Sequence, residues 1–145
     1  MRVLIIGGVA GGMSAATRLR RLDETAEIVV FERGPYVSFA NCGLPYHVGG
    51  VIAERDALLL QTPESLRSRF ALDVRIGTEV TAIDRAAQTV TVRVAATGET
   101  TTENYDRLIL AMGADDRSRL SPAPEGPVVS TLRTVDDVDR IVAAH

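Results

Sequence analysis

Gly7-Gly8-Val9-Ala10-Gly11-Gly12 stands between an apolar β-branched run and a stretch of helical composition, and this order constrains the fold more than any other feature. Arg2 to Ile6 reads as a buried parallel strand. Met13 to Leu22 reads as a helix, with Ala15, Ala16, Leu19 and Leu22 at three- and four-residue spacing. Asp23 to Ala26 closes it, and Glu27 to Phe31 is a second strand. The three elements form a βαβ unit of the usual size, roughly 30 residues.

A glycine turn at this place lets backbone N–H groups approach a diphosphate, and the helix start adds a dipole that favours anions. The usual fingerprint is G-x-G-x-x-G. Gly7 and Gly12 hold its first and third places, and Val9 holds the second. Glu32 ends the second strand, where an acid accepts hydrogen bonds from ribose hydroxyls. The competing reading is a glycine-rich turn of some other α/β protein, with Glu32 merely solvated. The loop alone does not choose between FAD and NAD.

Further along, Pro35 to Gly50 is irregular apart from a short helix near Gly43 to Val48. Thr62 and Pro63 suit the N-cap and first position of a helix reaching about Phe70. From Asp73 the pattern alternates through Val74, Ile76, Val80, Ile83, Val90, Val92 and Val94, with turn signals at 84–88 and Thr97-Gly98. This predicts an antiparallel meander. Asp106 to Leu110 is another apolar strand, residues 115–127 suit a linker, and Thr134 to Ala144 suits a capped helix. The fold class is α/β: a Rossmann-like βαβ sheet with an antiparallel β-meander.

Composition narrows the partners. A net charge of −3 gives no reason to expect nucleic acid, and the absence of Trp leaves few platforms for base stacking. The apolar stretch at the N-terminus is too short for a signal-peptide core, and no run reaches the ~18 residues a membrane span needs. A cytoplasmic protein without metal is expected. Cys42 is the one cysteine, so it is either a buried bystander or a reactive thiol.

Its setting is Ser38-Phe39-Ala40-Asn41-Cys42-Gly43-Leu44-Pro45-Tyr46. A helix starting near Gly43 would put the sulfur at a helix N-terminus, a position that favours the thiolate. Ser38 and Asn41 are placed to hydrogen-bond a thiolate or a bound thiol. The local residues leave both readings of Cys42 open. His47 is tempting as a base, but a loop histidine is more often solvated.

The segment Ser38 to Tyr46 resembles the active-site segment of the coenzyme A-disulfide reductase family. It is also similar to the related NADH oxidases, NADH peroxidases and persulfide reductases of the pyridine nucleotide-disulfide oxidoreductases. The opening Ile-Ile-Gly-Gly-Val-Ala-Gly-Gly fits the same family, Val9 included, as do Phe31-Glu32-Arg33, Leu60 to Glu64 and Thr78 to Asp84. The resemblance implies NAD(P)H-driven reduction of a disulfide through FAD and one redox-active cysteine, Cys42. It implies a mixed disulfide with coenzyme A, or a sulfenic acid in the oxidase and peroxidase branches. Two-cysteine relatives carry a second cysteine five positions away; here Val37 and His47 stand there, so the partner sulfur comes from the substrate.

By the same resemblance, FAD contacts fall on Gly7, Gly8, Val9, Ala10, Gly11, Gly12, Glu32, Arg33, Asn41, Cys42, Val80, Ala111, Met112 and Gly113. Coenzyme A contacts fall on Ser14, Arg18 and Arg21, which share one helix face, with Ser38 and Asn41. The competing reading of that face is solvated charge, Arg20 and Asp23 included. One departure is Ala111-Met112-Gly113-Ala114-Asp115-Asp116, where the family carries Ser or Thr near 111 or 112 and a proline after Gly113-Ala114. The expected division is an FAD-binding portion at 1–114 and a linker with helix at 115–145. Family chains are about three times longer and work as homodimers, and the NAD(P)H domain lies outside this sequence. Three readings follow: the FAD-binding part of a full reductase, a non-catalytic flavin module, or a subunit completed by another polypeptide.

Overall fold

Strand β1 (Arg2–Ile6) lies inside a parallel four-stranded sheet of order β3-β2-β1-β7. Its neighbours are β2 (Glu27–Phe31) and β7 (Arg107–Leu110), and β3 (Asp73–Arg75) lies outside β2. The computed structural model describes residues 1–114 and 130–144. These divide into two units: Met1–Phe39 with Leu60–Met112, and Ala40–Leu59 with Gly113–His145.

Side chains alternate across a strand, so the first unit's sheet has two apolar faces. Val3, Ile5, Ile28 and Val30 pack with Met13 and Ala16 of helix α1 (Ala10–Leu22) and Leu66 of helix α3 (Pro63–Phe70). Leu4, Val29 and Phe31 face the other way, onto Val90 and Val92 of β5 (Thr89–Val94). Phe31, Leu4, Ile5 and Ile28 are fully buried, each contributing roughly 1.5–3 kcal/mol of transfer free energy. Continuous apolar runs in β1 and β2 are what a sheet covered on both faces requires.

The antiparallel sheet is β4 (Thr78–Asp84), β5 and β6 (Thr100–Asn104), in that order. One sequence expectation is corrected here, and one strand is found that the sequence reading did not expect. The alternation from Asp73 suggested that the meander starts there, but Asp73–Arg75 pairs parallel with β2. A three-residue strand is too short for its period to tell one sheet from the other. The third meander strand, Thr-Thr-Thr-Glu-Asn, has no apolar residue and so no hydropathy signal; threonine's preference for extended backbone was its only mark.

Helix α3 begins as the sequence predicts. Thr62 Oγ1 accepts the Ser65 amide at 3.2 Å, and Ser65 Oγ accepts the Thr62 amide at 3.0 Å. It ends at Ala71, which has φ 48°. Arg20 of α1 secures that end: Nε donates to the Phe70 carbonyl at 2.9 Å and Nη2 to the Ala71 carbonyl at 3.0 Å. It also donates to the carbonyls of Asp23 and Glu24. Asp23 accepts the amides of Thr25 and Ala26. Arg20 and Asp23 therefore terminate helices and are not idle surface charge.

The second unit contains a 3-10 turn at Asn41–Gly43, helix α2 (Leu44–Val48), a second 3-10 turn at Arg55–Leu58, and helix α4 (Val135–Ala143). Helix α2 packs on α4. Thr134 and Asp137 form a capping box at the start of α4, as its sequence predicts, and Val135 and Val138 are fully buried. The linker expected at 115–127, with Asp115 and Asp116, lies outside the described residues. No helix among the described residues is long and apolar enough to cross a membrane.

Candidate functional site

The strand-to-helix loop is tighter than its sequence suggests. Helix α1 starts at Ala10, three residues before the expected Met13, so Gly11 and Gly12 lie in its first turn. Gly7 has φ 103°, and a Cβ there would lie 2.3 Å from the Ala111 carbonyl oxygen. A Cβ on Gly12 would lie 1.8 Å from the Gly7 carbonyl oxygen. Glycine is obligatory at both positions: one lets β7 approach, the other lets the helix approach its own entry loop. Val9 has a negative φ of −104°, so nothing in the backbone demands glycine at the fingerprint's second place.

The start of α1 is open to an anion. Val9 supplies no side-chain cap, and the first turn holds no acid. The first amides of a helix have no partners within it, and the dipole adds positive potential there.

Glu32 secures the loop. Its Oε2 accepts the Gly8 amide at 2.7 Å and its Oε1 accepts the Gly34 amide at 2.8 Å. Each carboxylate oxygen has a second lone pair, so acceptor capacity remains for ribose hydroxyls. Nothing in the glycine fingerprint announces these amide bonds; they follow from the turn after β2. Ser38, at φ 51°, donates its amide to the Gly8 carbonyl at 2.8 Å. Arg33 is exposed. Ala111 donates its amide to Ile6 at 2.8 Å, and Met112 beside it is exposed. Val80 sits where the β4–β5 ladder slips, between Val80 and Ala82. Such a bulge leaves backbone groups out of the ladder.

Ser14, Arg18 and Arg21 are all exposed on α1. Neither arginine has an ion-pair partner among the described residues. Thus the first unit gathers the loop, Glu32, Ser38, Ala111 and Met112, and presents this basic face, while Val80 lies on its meander. Asn41, Cys42 and Gly113 belong to the second unit.

In that unit Cys42 is exposed, which excludes the buried-bystander alternative. It lies in the Asn41–Gly43 turn, directly ahead of α2. Asn41 is exposed beside it. His47 Nδ1 lies 2.7 Å from the Ile52 carbonyl oxygen, so it holds the loop after α2 rather than being free in solvent. Gly113 has φ 70°. Among the described residues no cluster of His, Cys, Asp and Glu is arranged to hold a metal ion.

A parallel sheet with a glycine turn into α1, an acid after β2 and a flanking meander is the architecture of an α/β dinucleotide-binding protein. The chain belongs to the pyridine nucleotide-disulphide oxidoreductase family, whose model matches residues 1–145. It is 41% identical over 140 residues to a coenzyme A disulfide reductase of Staphylococcus aureus, covering 97% of this chain and 31% of the relative. The reduced Bacillus anthracis CoADR-RHD superposes with a TM-score of 0.92 at 50% identity, over 98% of this chain and 26% of the other. A NAD-dependent persulfide reductase from A. fulgidus superposes with a TM-score of 0.87 at 38% identity, over 99% and 27%. The chain thus spans about a third of the curated relative's length.

Proposed function

We propose that this chain holds the ADP half of FAD and carries the reactive thiol of an NAD(P)H-driven reductase of coenzyme A disulfide. The observation that carries the reading is the loop geometry. An uncapped helix start, two glycines without room for a side chain, and Glu32 clamping the Gly8 amide fit a dinucleotide diphosphate and its ribose. Gly7 to Gly12 would face the diphosphate and Glu32 the ribose. Arg33, Asn41, Cys42, Val80 and the backbone of Ala111 to Gly113 complete the proposed cofactor contacts.

Cys42 supplies the substrate chemistry. Its thiolate sulfur attacks one sulfur of the disulfide, forming a Cys42 mixed disulfide and releasing the other half as thiolate. The flavin, when bound, supplies the two electrons that return Cys42 to its thiolate and free the second thiol. Arg18 and Arg21, exposed and without ion-pair partners among the described residues, suit the phosphates of coenzyme A, with Ser14, Ser38 and Asn41 as hydrogen-bond partners. The whole enzyme is read as a cytoplasmic homodimer whose NAD(P)H site lies outside this sequence.

The test is the visible absorption spectrum after adding FAD and dialysing, followed by mass analysis after exposure to coenzyme A disulfide. Retained flavin bands and a coenzyme A adduct on Cys42 support the reading. Retained flavin with an unreactive Cys42 points to a non-catalytic flavin module. A protein that releases all flavin overturns the claim that these residues hold FAD unaided. Capture of a persulfide sulfur in preference to coenzyme A would favour the persulfide branch, and sulfenic acid formation with peroxide would favour the oxidase or peroxidase branch.

A further inference from the structure

Besides the packing of α2 on α4, an ion pair between residues far apart in sequence ties the segment that carries Cys42 to α4. Arg55 Nε lies 2.6 Å from Asp139 Oδ1 and Arg55 Nη2 lies 2.7 Å from Asp139 Oδ2. Two parallel bonds fix the relative orientation of the groups as well as their distance. Asp139 follows Val138, which is fully buried, so its end of the pair stands on a packed helix.

Arg55 opens the 3-10 turn that Leu58 closes, and residues three apart in such a turn lie on the same side. Leu58 is fully buried and supports both flanks of the Cys42 turn. On one flank, the Ala40 amide donates to the Leu58 carbonyl at 2.8 Å. On the other, Gly43 packs so closely that a Cβ there would lie 3.1 Å from Leu58 Cδ2. The Gly43 amide closes the turn onto the Ala40 carbonyl at 2.8 Å. Asn41 and Cys42 are therefore suspended between two residues that rest on one leucine, whose turn is pinned by Asp139.

We infer that Arg55 and Asp139 are positioning residues for Cys42, setting the orientation of its sulfur through the Arg55–Leu58 turn. This rests on reading Cys42 as the attacking thiol. With the pair intact, the sulfur is presented in one orientation. With it broken, the 3-10 turn and the cysteine turn above it sample several, and attack on an incoming sulfur or carbon slows.

The experiment measures the second-order rate of Cys42 alkylation by iodoacetamide in the native chain, with thermal unfolding followed in parallel. Arg55→Ala and Asp139→Ala should each slow the reaction about threefold or more, and the double variant should be slowed by less than the two single effects combined. The exchange of the two residues, Arg55→Asp with Asp139→Arg, should recover most of the rate. Asp139→Asn retains the shape without the charge and serves if an alanine variant does not fold. Arg93→Ala breaks the exposed Arg93–Glu79 pair of the meander and should leave the rate unchanged. A merely structural role would lower the unfolding midpoint and leave the rate alone. Folded variants with the wild-type rate, or strictly additive effects of the two substitutions, overturn the inference. Wild-type Cys42 reacting no faster than free cysteine would instead sink its reading as the attacking thiol, and the effect of the pair on the rate would still be measurable.

Discussion

The carboxylate of Glu32 accepts the amide of Gly8 at 2.7 Å, joining the end of the second strand to the loop after the first. An acid usually assigned to the ribose is thus also part of the loop's own structure. Glu32→Gln removes the charge from two amide bonds, so FAD affinity should fall about tenfold or more. Flavin fluorescence titration checks this. Affinity equal to wild type would mean the loop holds its shape without the carboxylate.

The two glycines opening α1 should respond in opposite ways to alanine. A Cβ on Gly12 collides with the Gly7 carbonyl, and backbone on both sides leaves nowhere to move. Gly12→Ala should cost about 3 kcal/mol or more, or prevent folding. At Gly11 the nearest atom would be Ala111 Cβ at 3.7 Å, an ordinary contact. Gly11→Ala should be neutral or more stable by up to about 1 kcal/mol. Urea unfolding of the two variants separates them.

Glu103 of β6 ties the meander to the parallel sheet. Its carboxylate pairs with Arg2 at 2.5 Å and with Arg75 at 2.8 Å. Burial works against its charge, but the hydrogen bonds from the two arginines win and hold its carboxyl below the ordinary glutamate value of 4.5. A carboxyl depressed in the folded state stabilises fully above its unfolded value, and the contribution drains away as pH falls below it. Stability should therefore drop from about pH 4.5 downwards. Glu103→Gln should cost about 1–2 kcal/mol at pH 7 and flatten that acid-side slope. Unfolding midpoints from pH 3 to 7 are the measurement; an unchanged slope in the variant would assign the acid loss to other carboxylates.

Cys42→Ser should abolish the coenzyme A adduct. Arg18→Ala with Arg21→Ala should slow adduct formation with coenzyme A disulfide about tenfold, and leave the reaction with 2-hydroxyethyl disulfide unaltered. Comparing the two substrates distinguishes phosphate recognition from a general loss of thiol reactivity. Equal slowing of both would argue against the α1 face as the coenzyme A contact.

What was legible in the sequence was local. Strands β1 and β2, the Thr62 and Thr134 caps and the glycine turn each announce themselves within a few residues. What escaped depends on partners distant in the chain. Asp73–Arg75 reads like the meander because only its neighbour in space reveals a parallel ladder. Arg20 looks like surface charge until the end of α3 arrives beneath it, and Arg55 meets Asp139 across 84 residues with no pattern linking them. Likewise, Glu32 was readable as a ribose acid from its spacing, but its grip on Gly8 and Gly34 depends on how the chain turns after β2.

The position of β1 in its sheet sets a schedule for folding. One side of β1 meets β2 soon after it is made, but the other side waits for β7, and the Arg2 amide finds its acceptor, Asp106, only 104 residues later. On a ribosome adding about 5–20 residues per second, the β1–α1–β2 unit therefore stands with an open, apolar strand edge for several seconds. Closing such a distant pairing should also slow the refolding of the chain from denaturant. Chaperone dependence, and aggregation of chains halted before Leu110, should follow from where β7 is encoded.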